Sequence, residues 1–315
     1  MTPMSSVDRR RGGLLGLLLG DAAGVPFEFF LPSELSALPP GHFGLPFVCP
    51  PGFQRAHPTA PAGAWSDDGA HALALLDSLA QQGCLDLKDL GKRLQAWRDR
   101  GDYAVEGRVF DIGIQTSRAL EALDRGVAPE LCGPRDEFEN GNGALMRVLP
   151  LALLHTGTDA ELVATAHRQS LLTHGHPSSQ MACALYCLWA RQLLNGSPDG
   201  WSEAVESLAS IYADQPVYQR ELNAFLGAAQ RLAPQGSGYV VDCLWSARHA
   251  FLSSTRFESV IATAIALGRD TDTTAAVAGG VAGIRSGENG LSPAWRDALA
   301  SHPRLTEWLA LLDTP

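Results

Sequence analysis

The sequence predicts an all-α fold, a compact bundle of helices packed around a buried middle. Apolar residues recur at helical spacing in most segments of the chain, and no series of period-two runs competes with them. The repeated strand–helix alternation that an α/β sheet requires is absent. The 315 residues suffice for one large core or two modest domains. No linker divides them and no internal repeat appears, so a single domain over 1–315 is expected.

The first element is an apolar run from Gly12 to Gly20, behind Arg9-Arg10-Arg11. It imitates a signal peptide, but it leads directly into Gly20-Asp21-Ala22-Ala23-Gly24 with no convincing polar flank and cleavage region. It reads as the buried first helix of a cytoplasmic protein. No stretch reaches the apolar length of a membrane span. Irregular chain follows from Pro39 to Pro61, carrying Pro39, Pro40, Pro46, Pro50, Pro51 and Pro58 before Pro61. A connection this long is often a functional lid, or else a rigid surface wrap. It runs into Gly63-Ala64-Trp65-Ser66-Asp67-Asp68, which would lay it over the site described below.

Helical periodicity then covers Ala70–Leu79, Leu87–Trp97, Ile112–Leu123, Ala144–Leu154, Glu161–Leu172, Gln180–Leu194, Trp201–Tyr212, Tyr218–Leu232, Val240–Leu252, Phe257–Leu267 and Thr273–Ile284. One or two short helices between Trp295 and Leu311 close the chain. The segments around Ala70–Ala80 and Thr273–Ile284 are apolar enough to be central. Phe43–Val48 and Gly238–Val241 are the nearest approaches to strands, and they are isolated. None of the six cysteines forms a CxxC pair, so a disulfide scaffold is not expected. Cys183 and Cys187, four apart on an apolar helix, read as core packing.

With 24 basic against 34 acidic residues, the net charge is −10. That balance makes a poor general binder of polyanions, which leaves one local phosphate pocket possible and nucleic acid an unnatural partner. Two acidic clusters carry the chemistry: Ser66-Asp67-Asp68 and Asp270-Thr271-Asp272-Thr273, each at a predicted helix start. Ser, Thr and Asp are preferred N-caps, so either cluster alone can be a cap. Together they offer the oxygen ligands that Mg²⁺ or Mn²⁺ prefers, and two such ions roughly 3.5–4 Å apart polarise an oxygen and activate water. HExxH, a Cys/His quartet, GxSxG and a Walker A loop are all missing. His174-Gly175-His176 fits a loop or helix cap. Gly141-Asn142-Gly143-Ala144 opens an apolar segment, and Arg147 follows it. Glycines allow close backbone approach, free N–H groups can hold an anion, and an arginine fork suits phosphate or carboxylate. The same turn can also simply cap a helix.

These blocks together resemble the ADP-ribosylglycohydrolase family, the family of the dinitrogenase reductase-activating glycohydrolase. The resemblance runs through Gly16-Leu17-Leu18-Leu19-Gly20-Asp21-Ala22-Ala23-Gly24 with Phe27-Glu28, then Trp65-Ser66-Asp67-Asp68, then Gly141-Asn142-Gly143-Ala144-Leu145-Met146-Arg147. It continues through Thr173-His174 and Ser237-Gly238-Tyr239-Val240 to Gly268-Arg269-Asp270-Thr271-Asp272-Thr273. It implies two Mg²⁺ or Mn²⁺ ions at the base of a cleft and hydrolysis of the bond between ribose C1″ of ADP-ribose and an acceptor. By matching, Ser66, Asp67, Asp68, Asp270, Asp272 and Thr273 become metal ligands. Asp67 or Asp270 becomes the base. Glu28 matches a glutamate on a mobile loop that closes over the metals in some members, where it holds substrate or assists the leaving group. Gly141, Asn142, Gly143 and Arg147 line the ribose and phosphate region, Gly238 and Tyr239 the adenine side, and His174 is a further substrate-binding residue. The implied substrate is an ADP-ribosylated protein, arginine-linked first, or a small ADP-ribose conjugate. Serine-linked protein, O-acetyl-ADP-ribose and a non-catalytic ADP-ribose reader stay open. Three positions depart from the family pattern: Ser66 replaces threonine, Gly69 replaces a second threonine, and Arg269 replaces a second glycine.

Overall fold

A computed structural model describes residues 4–38, 47 and 49–313. Among these, fifteen α-helices form the molecule. In order they are α1 Ser6–Gly24, α2 Pro32–Leu35, α3 Asp67–Gln82, α4 Leu87–Arg100, α5 Ile114–Asp124, α6 Leu149–Leu154, α7 Asp159–Leu171 and α8 Pro177–Leu194. Then come α9 Trp201–Ile211, α10 Pro216–Ala229, α11 Val240–Ser253, α12 Phe257–Ala266, α13 Thr271–Ser286, α14 Pro293–Ala298 and α15 Leu305–Ala310. The all-α expectation holds. β pairing among the described residues is a lone antiparallel bridge between Gly141 and Tyr239, which is all that becomes of the strand-like Gly238–Val241. Phe43–Val48, apart from Phe47, lies outside the described residues, as does most of Pro39–Val48. No described helix is long and apolar enough to cross a membrane.

The predicted central helices are central. Every residue of α13 from Thr271 to Ile284 is buried, and so is every residue of α3 from Asp67 to Leu79. The innermost contact is between α1 and α13, which run antiparallel. Gly12, Gly16, Gly20 and Gly24 of α1 face Gly283, Gly279, Ala275 and Asp272 of α13. A Cβ at Gly16, Gly20, Gly24 or Gly279 would overlap the partner's main chain, well inside 3.0 Å. Backbone therefore packs on backbone. The Thr271 hydroxyl completes the joint by donating to the Gly24 carbonyl, 2.8 Å away.

Most predicted boundaries fall within a few residues of those observed. The main difference is Ala144–Leu154, where regular helix begins only at Leu149. The Leu145 and Met146 amides both bond to the Asn142 carbonyl, which makes a tight turn. Pro150 has no N–H to return to the preceding turn, so the helix can start at Leu149 but cannot extend back through it. At the C-terminus, Arg304 bonds Asp77 of α3 at 3.0 and 3.2 Å, holding α15 against α3. All six cysteines are free, and Cys183 and Cys187 are buried as expected.

Substituting Gly16 by valine should push α1 off α13. Forced overpacking of this kind costs about 3 kcal/mol, because main chain cannot yield as a side chain can. Urea denaturation of Gly16→Val against the native protein measures the loss.

Candidate active site

Two helix N-termini and the C-terminal end of α1 converge on one floor. At the start of α3, the Ser66 hydroxyl accepts from the Asp68 amide at 3.3 Å and donates to Asp68 Oδ2 at 3.1 Å. At the start of α13, Asp272 Oδ1 accepts from the Thr273 amide at 2.9 Å. The Thr273 hydroxyl then donates to Asp68 Oδ2 at 3.2 Å. That bond joins the two acidic clusters across the whole fold. Asp21, in the first block of the resemblance but given no role there, locks the arrangement from α1. Its two oxygens accept from the Ser66 amide at 2.9 and 3.0 Å, and Oδ2 also accepts from the Gly69 amide at 2.8 Å. A side chain at Gly69 would strike Trp65 and Leu18.

Carboxylate oxygens of Asp21, Asp68 and Asp272 lie within 4.8 Å of one another. Asp68 Oδ1 and Asp272 Oδ2 are buried with no hydrogen-bond partner. Buried carboxylate oxygens left this way are costly unless a positive charge meets them. An all-oxygen donor set fits a hard divalent cation. Asp67, Asp270 and Thr273 stand at the cleft face of the same floor, whereas Ser66, Asp68 and Asp272 lie beneath it.

The cleft above has a volume of about 580 Å³, within the range of about 300–1,000 Å³ usual for small-molecule sites. Glu28 enters from the turn after α1, and its Oε2 pairs with His57 Nε2. His57 comes from the described end of the proline-rich stretch, which meets the cleft wall through Glu28 but does not itself line the cleft. Asp111 completes a second group, with ligand atoms of Glu28, His57 and Asp111 within 4.8 Å of one another. Asp111 has φ +54°, a left-handed conformation rare for a residue other than glycine, asparagine or aspartate. Sequence reasoning missed both His57 and Asp111. Each is a lone polar residue in irregular chain, and the one available signal was Asp111 beside Gly113 ahead of a helix.

Gly141, Asn142, Gly143, His174, Gly238 and Tyr239 all line the cleft. Asn142 Nδ2 donates to Asp270 Oδ2 at 2.8 Å, tying wall to floor. Two corrections fall here. The Gly141 amide is spent on Gln115 Oε1 at 2.9 Å and the Asn142 amide on the Gly238 carbonyl at 3.1 Å, so neither is free to hold an anion. Arg147 is fully buried and does not line the cleft. It donates to the Gly143 carbonyl at 3.1 Å, Thr173 Oγ1 at 2.7 Å, Gln169 Oε1 at 3.0 Å and the Gln169 carbonyl at 3.0 Å. The fork expected to hold phosphate thus holds the underside of the glycine turn. Burial lowers its pKa to about 10, so it stays charged at neutral pH. His176, by contrast, caps α8 as its position suggested. Arg269 has φ +63°, which shows why glycine is natural there, and its guanidinium donates to the Gln235 carbonyl at 2.6 Å.

In the metal-free protein, burial pushes Asp21 and Asp111 up to about 7. Burial, then Asp270 and Asp21, push Glu28 up to about 8. Asp67, Asp68 and Asp272 are likewise raised, by burial and by the charges of the neighbouring carboxylates. Folded values above the unfolded value of about 4 mean that the folded state keeps the extra protons. Their stabilisation is full below about pH 4 and is lost as pH rises through the folded values. Buried histidines act oppositely: burial lowers His167 to about 4 and, helped by Arg147, His174 to about 3. These destabilise only as pH falls below about 6.5, where the unfolded histidine takes up a proton. From about pH 6.5 to 8.5 the carboxylates therefore set the slope. Melting curves without divalent cation should show Tm falling across that window. Added Mg²⁺ or Mn²⁺ should raise Tm most at the alkaline end.

Set beside known proteins, this all-α fold with a carboxylate floor under a cleft is that of a glycohydrolase. The chain belongs to the ADP-ribosylglycohydrolase family, whose profile matches residues 2–314. It is 32% identical over 302 residues to the ADP-ribosylarginine hydrolase Tri1 of Pseudomonas putida, covering 95% of this chain and 76% of that protein. It is 30% identical over 301 residues to the ADP-ribosyl-(dinitrogen reductase) glycohydrolase of Rhodospirillum rubrum, covering 95% and 92%. A solved structure, an ADP-ribosylglycohydrolase-related protein complex, superposes with a TM-score of 0.70 at 31% identity, covering 98% of this chain and 96% of that one.

Proposed function

We propose that this protein hydrolyses the C1″ glycosidic bond joining ADP-ribose to the arginine side chains of proteins, and that it needs two divalent cations, Mg²⁺ or Mn²⁺, to do so. The carrying observation is the union of the two acidic clusters, through Thr273 and Asp68, on the floor of the cleft. The arginine linkage is supported by the relatives whose names state it. Six free thiols support a cytoplasmic setting, and one hydrophobic cluster spanning α1 to the C-terminal segment supports a single domain over 1–315.

Asp67, Asp68, Asp270 and Asp272 would hold the cations, with Ser66 and Thr273 oxygens as the remaining ligands. When bound, such cations supply charge that draws sugar hydroxyls into place and makes a nearby water more acidic. The chain's own groups do the rest. Asp67 or Asp270, both facing the cleft, takes the proton of the attacking water. The water oxygen bonds to C1″ as the C1″–N bond breaks through an oxocarbenium-like state, and the electron pair leaves with the guanidine. Glu28, which lines the same cleft, serves as the acid that returns a proton to that nitrogen. Tyr239, half exposed on the wall, offers an aromatic face to the adenosine end.

Turnover of an arginine-linked ADP-ribosyl peptide, with and without Mg²⁺ or Mn²⁺, tests the reading, with a serine-linked peptide alongside. Activity on the serine-linked peptide alone, or activity undiminished by chelator, would sink it. Asp68→Ala and Asp272→Ala should each abolish stoichiometric cation binding in calorimetry. Glu28→Gln should lower kcat by about 10²-fold or more, with ADP-ribose affinity and Tm little changed, because the shape is kept and the proton is lost.

A further inference from the structure

Below the glycine turn, a chain of hydrogen bonds runs from Arg147 to the ring of His174. Its direction follows from which groups own protons. Arg147 Nη1 is only a donor, so at 2.7 Å from Thr173 Oγ1 it fills a lone pair of that oxygen. Thr173 is wholly buried, and its hydroxyl hydrogen needs an acceptor. Among the described residues the acceptor within reach is His174 Nδ1, at 2.9 Å. The carbonyl one turn back, at Gln169, accepts from Arg147 Nη2 at 3.0 Å and makes no hydrogen bond with Thr173 Oγ1 among the described residues. Nδ1 therefore accepts and carries no hydrogen. The ring is neutral, since burial and Arg147 lower its pKa to about 3. Its single hydrogen must then sit on Nε2.

That nitrogen borders the cleft. The Cε1–Nε2 edge of the ring lies against Gly141 and Gly143, where a Cβ on Gly143 would come within 2.7 Å of Cε1. His174 is itself part of the cleft lining. We propose that Arg147 acts as a positioning residue, fixing His174 through the Thr173 hydroxyl in the Nε2–H tautomer, so that the ring presents a fixed donor to an oxygen of the bound ADP-ribosyl group. The inference rests on the functional reading above for its ligand, but not for its relay. It gives the buried Arg147 a part in recognition without contact to substrate. It also gives Gly143 a reason to lack a side chain, because a Cβ there would meet the donating edge of the ring.

The relay can be read in the ligand-free protein. Long-range ¹H–¹⁵N spectra of the imidazoles, with His174 assigned by its loss in His174→Asn, report which nitrogen carries hydrogen. Native protein should show His174 with hydrogen on Nε2 and a hydrogen-bonded imine nitrogen at Nδ1. In Thr173→Val the Nδ1 resonance should move to that of an unbonded imine nitrogen or average between tautomers. ADP-ribose affinity by calorimetry should then weaken by about five- to tenfold, the usual worth of one directed hydrogen bond. Thr173→Ser, which keeps the hydroxyl, should restore both readouts and so separates the relay from a packing effect. An Nδ1–H ring in the native protein, an unmoved Nδ1 resonance in Thr173→Val, or native affinity in that variant would each overturn the proposal. If the native protein fails to bind ADP-ribose, the functional reading and the donor role fall together, while the native spectrum still decides whether the relay exists.

Discussion

Everything at the catalytic floor depends on how closely α1 approaches α13. Glycine on both helices removes the side chains that would normally hold helix axes about 8–10 Å apart. Main chain meets main chain along four turns, and the many small dispersion contacts of a close-packed joint replace larger interdigitating side chains. Antiparallel direction then matters. It brings the C-terminal end of α1, with Asp21 and Gly24, to the N-terminal end of α13, with Asp270 and Asp272. Asp21 reaches from there to the first amides of α3 and sets the third element. One contact thus fixes the relative positions of three helix ends.

Concentrating so much negative charge has an electrostatic cost that the fold reduces in stages. Helix N-termini of α3 and α13 turn their positive ends and free amides toward the carboxylates. Backbone N–H groups satisfy Asp21, hydroxyls satisfy one oxygen of Asp68, and Asn142 satisfies one of Asp270. Arg147 lies below, near enough for Asp67 to favour its charged form. What is left over is one bare oxygen each on Asp68 and Asp272, both inaccessible to solvent. A site that has met most of its needs internally, and has left two buried carboxylate oxygens bare, is one that could hold a cation.

The walls follow a different logic. The 140–142 and 238–240 segments are zipped by main-chain bonds, including Asn142 to Gly238 and Val240 to Asn140. The Gly141, Asn142 and Val240 amides are consumed in holding shape, and the side chains of Asn142, His174, Tyr239 and, across the cleft, Glu28 line the space between. The Glu28–His57 pair links the wall to the described end of the proline-rich segment.

Helix content, the central place of α3 and α13, and the importance of both acidic clusters were legible in the chain alone. Periodicity reports burial directly, because a helix repeats its faces every 3.6 residues, and acidic residues beside helix starts are local in sequence. The ordered glycine, aspartate and asparagine blocks carried the family. Tertiary structure decided the rest. Arg147 looks like a ligand-facing fork in sequence, yet in space it turns inward, because the acceptors that match its donors come from Gln169 and Thr173, far along the chain. Asp111 and His57 sit in irregular segments with no periodic pattern, and only folding brings them to Glu28. Local patterns record which face of an element is buried, but not which distant groups will meet there. The joining of Ser66-Asp67-Asp68 to Asp270-Thr271-Asp272-Thr273, through one threonine hydroxyl, belongs to that second kind of information.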